Sequence, residues 1–124
     1  MDKKQMDQFL IKAVKKFEPG VNEKLLEKVS KQSEYLEMNI EGIKYEIVRD
    51  NLILLGNILE ENEKRKTYTV CINAGVANSN PCIIVVYVDK DEVFIDAFAR
   101  EGLIKQHTAR KAIKKIKDKF EKIK

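Results

Sequence analysis

Residues 82–99 read CIIVVYVDKDEVFIDAFA, and the reading of this stretch decides the fold. Two apolar runs, Cys82 to Val88 and Val93 to Ala99, flank the polar turn Asp89-Lys90-Asp91-Glu92. A hairpin closed at that turn sets Val88 against Val93, Val86 against Ile95 and Ile84 against Ala97. Apolar side chains then point to both sides of the pair, whereas a half-solvated antiparallel sheet alternates apolar with polar. Something must cover both faces, and helices are the expected cover.

Upstream, residues 66–73 alternate Tyr68, Val70 and Ile72 with Thr67, Thr69 and Cys71, the period of a strand. The polar segment Ala74 to Pro81, with Asn78, Ser79 and Asn80 in its middle, joins it to the hairpin. Further upstream, Ile40-Glu41-Gly42-Ile43 places two turn residues between alternating runs, with Gly42 able to take positive φ. Closing a hairpin there pairs Leu36 with Ile47 and Met38 with Tyr45 on an apolar face, and Glu37 with Glu46 on a wet one. Arg49-Asp50-Asn51-Leu52 reads as a second tight turn, because Asp and Asn tolerate left-handed backbone. It opens a strand over 52–60 in which Gly56 marks a bulge or the close approach of another backbone.

Helical periodicity brackets this strand-rich middle. Met6, Phe9, Leu10, Ala13, Val14 and Phe17 recur at three- and four-residue spacing. Glu18-Pro19-Gly20 ends that helix, and Asn22 caps a second one burying Leu25, Leu26 and Val29. Ala109, Ala112, Ile113, Ile116, Phe120 and Ile123 form one stripe near the C-terminal end. The expected fold is therefore α+β: a bent, six-stranded antiparallel meander with two N-terminal helices and one long C-terminal helix. The expected elements are helices at 3–17 and 22–32, strands at 34–40, 43–49, 52–60, 66–73, 82–88 and 93–99, and a helix at 103–122. With 124 residues, 44% hydrophobic and 35% charged, the chain reads as one domain over 1–124. A chain of this size hides about two-thirds of its unfolded surface without disulfide or metal staples.

No apolar run approaches the roughly 18 residues of a membrane helix. The N-terminal residues lack the continuous apolar core of a secretory signal, so a cytoplasmic location is expected. Abundant Lys, Ile, Glu and Asn beside scarce Arg and absent Trp point to an AT-rich, prokaryotic genome. The net charge of +4 is unevenly spread. Residues 100–124 carry ten basic against three acidic side chains, a local +7, and the first seventeen residues carry +3. The middle is acidic.

The chemistry-bearing residues are few. His107 is the one histidine, and it falls opposite the apolar stripe of the last helix, away from a nucleophile such as Cys82 or an acid such as Asp96. Asp96 interrupts an apolar strand, where a carboxylate needs a partner; Arg100 or a helix N-terminus is the expected one. A symmetric loop sets Cys71 directly opposite Cys82 on one face, a candidate redox pair that a reducing compartment keeps as thiols. Two Cys and one His without close paired spacing make no zinc site, and Gly75 stands in no phosphate-binding context. The sequence calls for no catalytic residue, metal or cofactor.

Two functional leads remain. The apolar sheet surface and its strand edges suit a non-enzymatic interaction or chaperone-like module that binds a protein partner or self-associates as a homodimer. The lysine ridge Lys111, Lys114, Lys115 and Lys122 suits weak, sequence-nonspecific nucleic-acid binding, although arginine is scarce, no aromatics are interleaved with the lysines, and Asp118 and Glu121 interrupt the ridge. A small ligand held between the bent sheet and the last helix is a third reading. Lys111, Lys114, Lys115, Lys122, Asn78, Ser79 and Asn80 are the candidate binding residues.

Overall fold

The computed structural model describes residues 1–102 and 105–123 and is α+β, with one open antiparallel sheet between two layers of helices. Helices α1 (Lys3–Phe17) and α2 (Glu23–Gln32) come first, then strand β1 (Glu34–Asn39) and helix α3 (Tyr45–Leu55). Strands β2 (Asn57–Asn62), β3 (Thr67–Ala74), β4 (Asn80–Asp89) and β5 (Glu92–Phe98) follow, and helix α4 (Thr108–Glu121) closes the order.

The 82–99 hairpin forms in the expected register, with Val88 against Val93, Val86 against Ile95 and Ile84 against Ala97. As its composition requires, both faces are covered. On one face Ile84, Val86, Val93 and Ile95 pack beneath Ala112, Ile116 and Phe120 of α4 and Tyr45, Val48 and Leu52 of α3. On the other, Ile83, Val85, Phe94 and Phe98 meet Met6, Leu10 and Val14 of α1 and Val29 of α2. Truncating one such buried Ile, Leu or Phe to Ala costs about 2–5 kcal/mol.

The helix ends obey their local chemistry. Asp2 and Gln5 form a reciprocal capping box on α1, each bond 2.9 Å. Asn22 caps α2 through Leu25 N–H at 2.8 Å, as its side chain and position predict. The last helix begins later than expected. Leu103 and Ile104, in the expected first turn, lie outside the described residues, and Lys105 to His107 are not helical. The apolar stripe of α4 is nevertheless the expected one.

The main correction concerns residues 43–60. The sheet has five strands, in the order β1-β5-β4-β3-β2, and the expected strands at 43–49 and 52–60 are replaced by α3 and the shorter β2. Only β2 to β5 form a meander; β1 adds beside β5, so Leu36 faces Ile95 and Met38 faces Val93 instead of Ile47 and Tyr45. Gly42 does take positive φ, +74°, but its turn leaves the sheet. Asp91, in the β4–β5 turn, accepts from Ile40 N–H (2.6 Å) and, through Oδ1, from Gly42 N–H (2.9 Å), pinning the chain as it climbs into α3. The apolar side chains at 43, 45 and 47 fit a strand; those at 45, 48, 52 and 55 fit a helix equally well. The helix wins because Tyr45, Val48 and Leu52 then seal the sheet, Tyr45 stacking on Tyr68 at 4.4 Å while Tyr68 Oη donates to the Tyr45 carbonyl at 2.5 Å. Asn51, read as a turn residue, sits in the helix and donates to the Ile47 carbonyl at 2.8 Å.

Gly56 ends α3 rather than sitting in mid-strand, yet the expected close approach is present. A Cβ there would collide with the Cys71 carbonyl oxygen of β3. The bulge lies slightly further on, between Ile58 and Glu60. Since each neighbouring pair is antiparallel, β1 and β2 run parallel at opposite edges, and α3 carries the chain between them.

Candidate functional site

The expected binding residues come together only in part, and where they meet they hold the fold. Lys115 Nζ donates to the Asn73 carbonyl (3.0 Å) and to Asn78 Oδ1 (2.6 Å), tying α4 to the β3–β4 loop. Asn80 Nδ2 donates to the Arg100 carbonyl (2.8 Å) and to Thr108 Oγ1 (2.7 Å), while Ser79 Oγ donates to the Val76 carbonyl (2.8 Å). Glu101 accepts from Thr108 N–H (2.7 Å) and Gln106 N–H (3.2 Å), supplying the first turn of α4 with the acceptor that His107 does not provide. The loop at 75–81 is a clamp on α4. Of the remaining lysines, Lys114 pairs with Asp118 at 2.8 Å one turn away, whereas Lys111 and Lys122 are exposed.

The cysteines do not form the expected pair. Strands β3 and β4 meet one residue out of the expected register, so Cys71 faces Ile83 and Cys82 faces Ile72. One extra loop residue moves the two thiols to opposite faces of the sheet. Both are free, and burial pushes both thiols up, Cys82 most strongly, so neither has thiolate character. Cys82 and Asp96 also point to opposite faces, so they cannot work as one set with His107, which is exposed at the entrance to α4. Among the described residues no three His, Cys, Asp or Glu side chains converge as metal ligands, and no helix is long and apolar enough to cross a membrane.

Asp96 lies on the α1 face, wholly buried, and its partner is not Arg100. Arg100 instead pairs with Glu18 (3.4 Å) and donates to the Gly20 carbonyl (2.8 Å). Neither Asp96 oxygen has a hydrogen-bond partner when the carboxyl is ionised. The group beside it is another acid, Asp7 of α1. Asp7 accepts from Lys3 Nζ at 2.9 Å and from Ser33 Oγ at 3.1 Å. Burial, and then the Asp7 charge, push Asp96 up to about 9. Burial opposes ionisation of Asp7 too, but hydrogen bonds from Asp96, Lys3 and Ser33, with the Lys3 charge, hold it below the usual carboxylate range. Burial and the neighbouring acid thus push the two carboxyls apart, Asp96 upward and Asp7 downward.

The surface that stands out is α3. Its inward residues Tyr45, Val48 and Leu52 are buried, but Ile47, Ile53 and Leu54 are 37%, 46% and 69% exposed. Ile47 and Leu54 are two turns apart and lie on the side opposite the core. An amphipathic surface helix carries one apolar stripe, and this one carries apolar groups outside it. Immediately after α3, β2 is an edge strand, with no strand paired to its outer side among the described residues. The sequence showed these residues but, read as strands, hid the side to which they point.

A hollow lies on the opposite face of the sheet from α4. A groove of about 710 Å³ runs between α1 and the β2–β3 end of the sheet, lined by Phe9, Ala13, Phe17, Thr67, Thr69 and Tyr87. The Lys16–Glu60 ion pair crosses it. The expected place for a ligand, between sheet and α4, is filled by the Ile116 and Phe120 core. Comparison with protein-family models, with curated proteins and with solved structures gave no match to this chain.

Proposed function

We propose that the chain is a self-associating interaction module whose contact surface is the outward side of α3 together with the free edge of β2. The observation that carries this reading is the exposure of Ile47, Ile53 and Leu54 together on one helix; the other exposed large apolar side chains among the described residues are Met1 and Val76, one at the start of the chain and one in the β3–β4 loop. A second copy is the favoured occupant. The surface combines an apolar strip with an adjacent strand edge, which a two-fold axis can match to itself. The rim of α3 carries Glu46, Arg49 and Asp50, with Arg49 held by Glu61 at 3.0 Å. Three exposed apolar side chains and one short edge fall below the roughly 800 Å² per partner of a standard interface, so the dimer is weak and reversible.

The nucleic-acid reading has less support, because Lys115 is engaged by Asn73 and Asn78 and Lys114 by Asp118. Light scattering over a concentration series is the test. The wild type shifts from monomer towards dimer as concentration rises, and Leu54→Glu stays monomeric with an unchanged circular dichroism spectrum. A wild type that stays monomeric to millimolar concentration overturns the reading. So does a Leu54→Glu variant that dimerises as well as the wild type.

A further inference from the structure

We propose that Asp7 and Asp96 form a one-proton latch that holds α1 against the sheet, so that α1 opens with release of a proton. The geometry is a closed cluster across three elements. Asp96 projects from the middle of β5 between Phe94 and Phe98, wholly buried, with neither oxygen within hydrogen-bond geometry of a donor; the Ser33 hydroxyl, which donates to Asp7, also bears on Asp96 and partly offsets the effect of burial. Asp7 comes down from α1, next to the core residue Met6 and about one turn before Leu10. Lys3 Nζ and Ser33 Oγ, themselves 3.2 Å apart, both donate to Asp7.

The other elements packed around Asp96 supply no second cation. From β1, Tyr35 stands directly opposite it, with its hydroxyl donated to Glu37 at 2.6 Å. From β4 the opposite residue is Val85, and α2 contributes the apolar Val29. Asp2 adds a further negative charge at the start of α1, felt at Tyr35. Among the described residues Lys3 is the cation that acts on both acids, and it can balance one negative charge. The second acid must be neutral for α1 to stay seated.

With α1 closed, the proton on Asp96 makes an O–H donor to the Asp7 carboxylate. With α1 lifted, Asp96 meets water, returns to an ordinary carboxylate and gives up that proton. Closure therefore takes up one proton at neutral pH, and the opening equilibrium rises by up to tenfold per pH unit across the neutral range. Lifting α1 uncovers Phe94, Phe98, Ile83 and Val85 and widens the groove beside Phe9 and Phe17. This device is independent of the α3 contact surface, which lies on the other face.

Amide hydrogen exchange on the full-length chain, corrected for intrinsic rates, tests the latch. Between pH 6 and pH 8, protection of Leu10 and Val14 should fall by up to about a hundredfold, and at every pH it should lie below that of Ile116 in α4, which is exposed only by global unfolding. In Asp96→Asn, whose amide donates to Asp7 at every pH, α1 protection should not change with pH. A pH-independent wild type, α1 protection equal to that of α4, or the same fall in Asp96→Asn overturns the proposal. If Asp96→Asn does not fold, the carbon-13 shift of the Asp96 carboxyl in the wild type decides. It should report a protonated acid at pH 7, and an ionised one overturns the latch.

Discussion

Replacing Gly56 by Ala separates the observed joint between α3 and β2 from the continuous strand that its sequence suggests. Gly56 has an extended backbone, φ −174°, which any residue adopts, so the substitution carries no dihedral penalty. What it adds is a Cβ that collides with the Cys71 carbonyl oxygen and lies 3.0 Å from Ile72 Cγ1 and 3.2 Å from the Cys71 carbonyl carbon. That carbonyl belongs to β3, held between β2 and β4, and cannot swing aside as a flexible side chain would. Overpacking of this kind costs about 1–3 kcal/mol. The stiffer unfolded chain of the Ala variant returns about 0.4–1 kcal/mol. The net expectation is a loss of about 1–2 kcal/mol, readable by urea denaturation followed by circular dichroism, with a melting point several degrees lower. In an unobstructed strand the sign reverses, because Ala there is more stable than Gly by about 0.5–1 kcal/mol. A Gly56→Ala variant as stable as the wild type, or more so, refutes the joint.

Stability as a function of pH gives a second check. Asp96 is raised on folding from 3.8 to about 9, so its contribution is fully present below pH 3.8 and is lost as pH rises towards 9. Between pH 5 and pH 8 the wild type should lose on the order of 4 kcal/mol relative to Asp96→Asn, at about 1.4 kcal/mol per unit. Parallel curves in urea unfolding would refute this. Asp7, lowered on folding, acts in the opposite sense and only as pH falls below its ordinary range. Mild oxidation should leave the mass of the native chain unchanged, because Cys71 and Cys82 point to opposite faces; loss of two hydrogens with retained native structure would contradict the register. Asn80→Ala should cost about 1–3 kcal/mol in thermal unfolding, since two hydrogen bonds to Arg100 and Thr108 disappear; no change would mean that the clamp on α4 does not hold.

Much of the fold was legible wherever one period had one interpretation. The 82–99 hairpin is apolar on both faces and has a single polar turn, so its register and its double cover follow from the residues alone. The stripes of α1 and α4 and the Asn22 cap are equally unambiguous. Residues 43–55 are not, because alternate and every-third-or-fourth apolar positions coincide there. Asp50 and Asn51 imitate a turn, and Lys44 offers no side-chain cap to announce a helix. The choice is made by packing on Tyr68, which lies 23 residues from Tyr45 in sequence. The cysteine register failed by one residue because loop length, not strand composition, sets it. Asp96 was legible as a carboxylate in need of a partner, but the partner is an acid on a distant helix, and pairing of like groups through a proton has no sequence signature. The outward side of α3 could not be seen until that segment was known to be helical.

The proposed self-association brings copies of the chain together through α3 and β2. Hydrogen exchange of the wild type at micromolar and at near-millimolar concentration tests it most directly, at one pH so that the α1 latch stays constant. Peptides covering residues 45–62 should gain protection at the higher concentration while those covering α1, α2 and α4 do not. Protection that is independent of concentration, or that rises on α4 or α1 instead, contradicts the account.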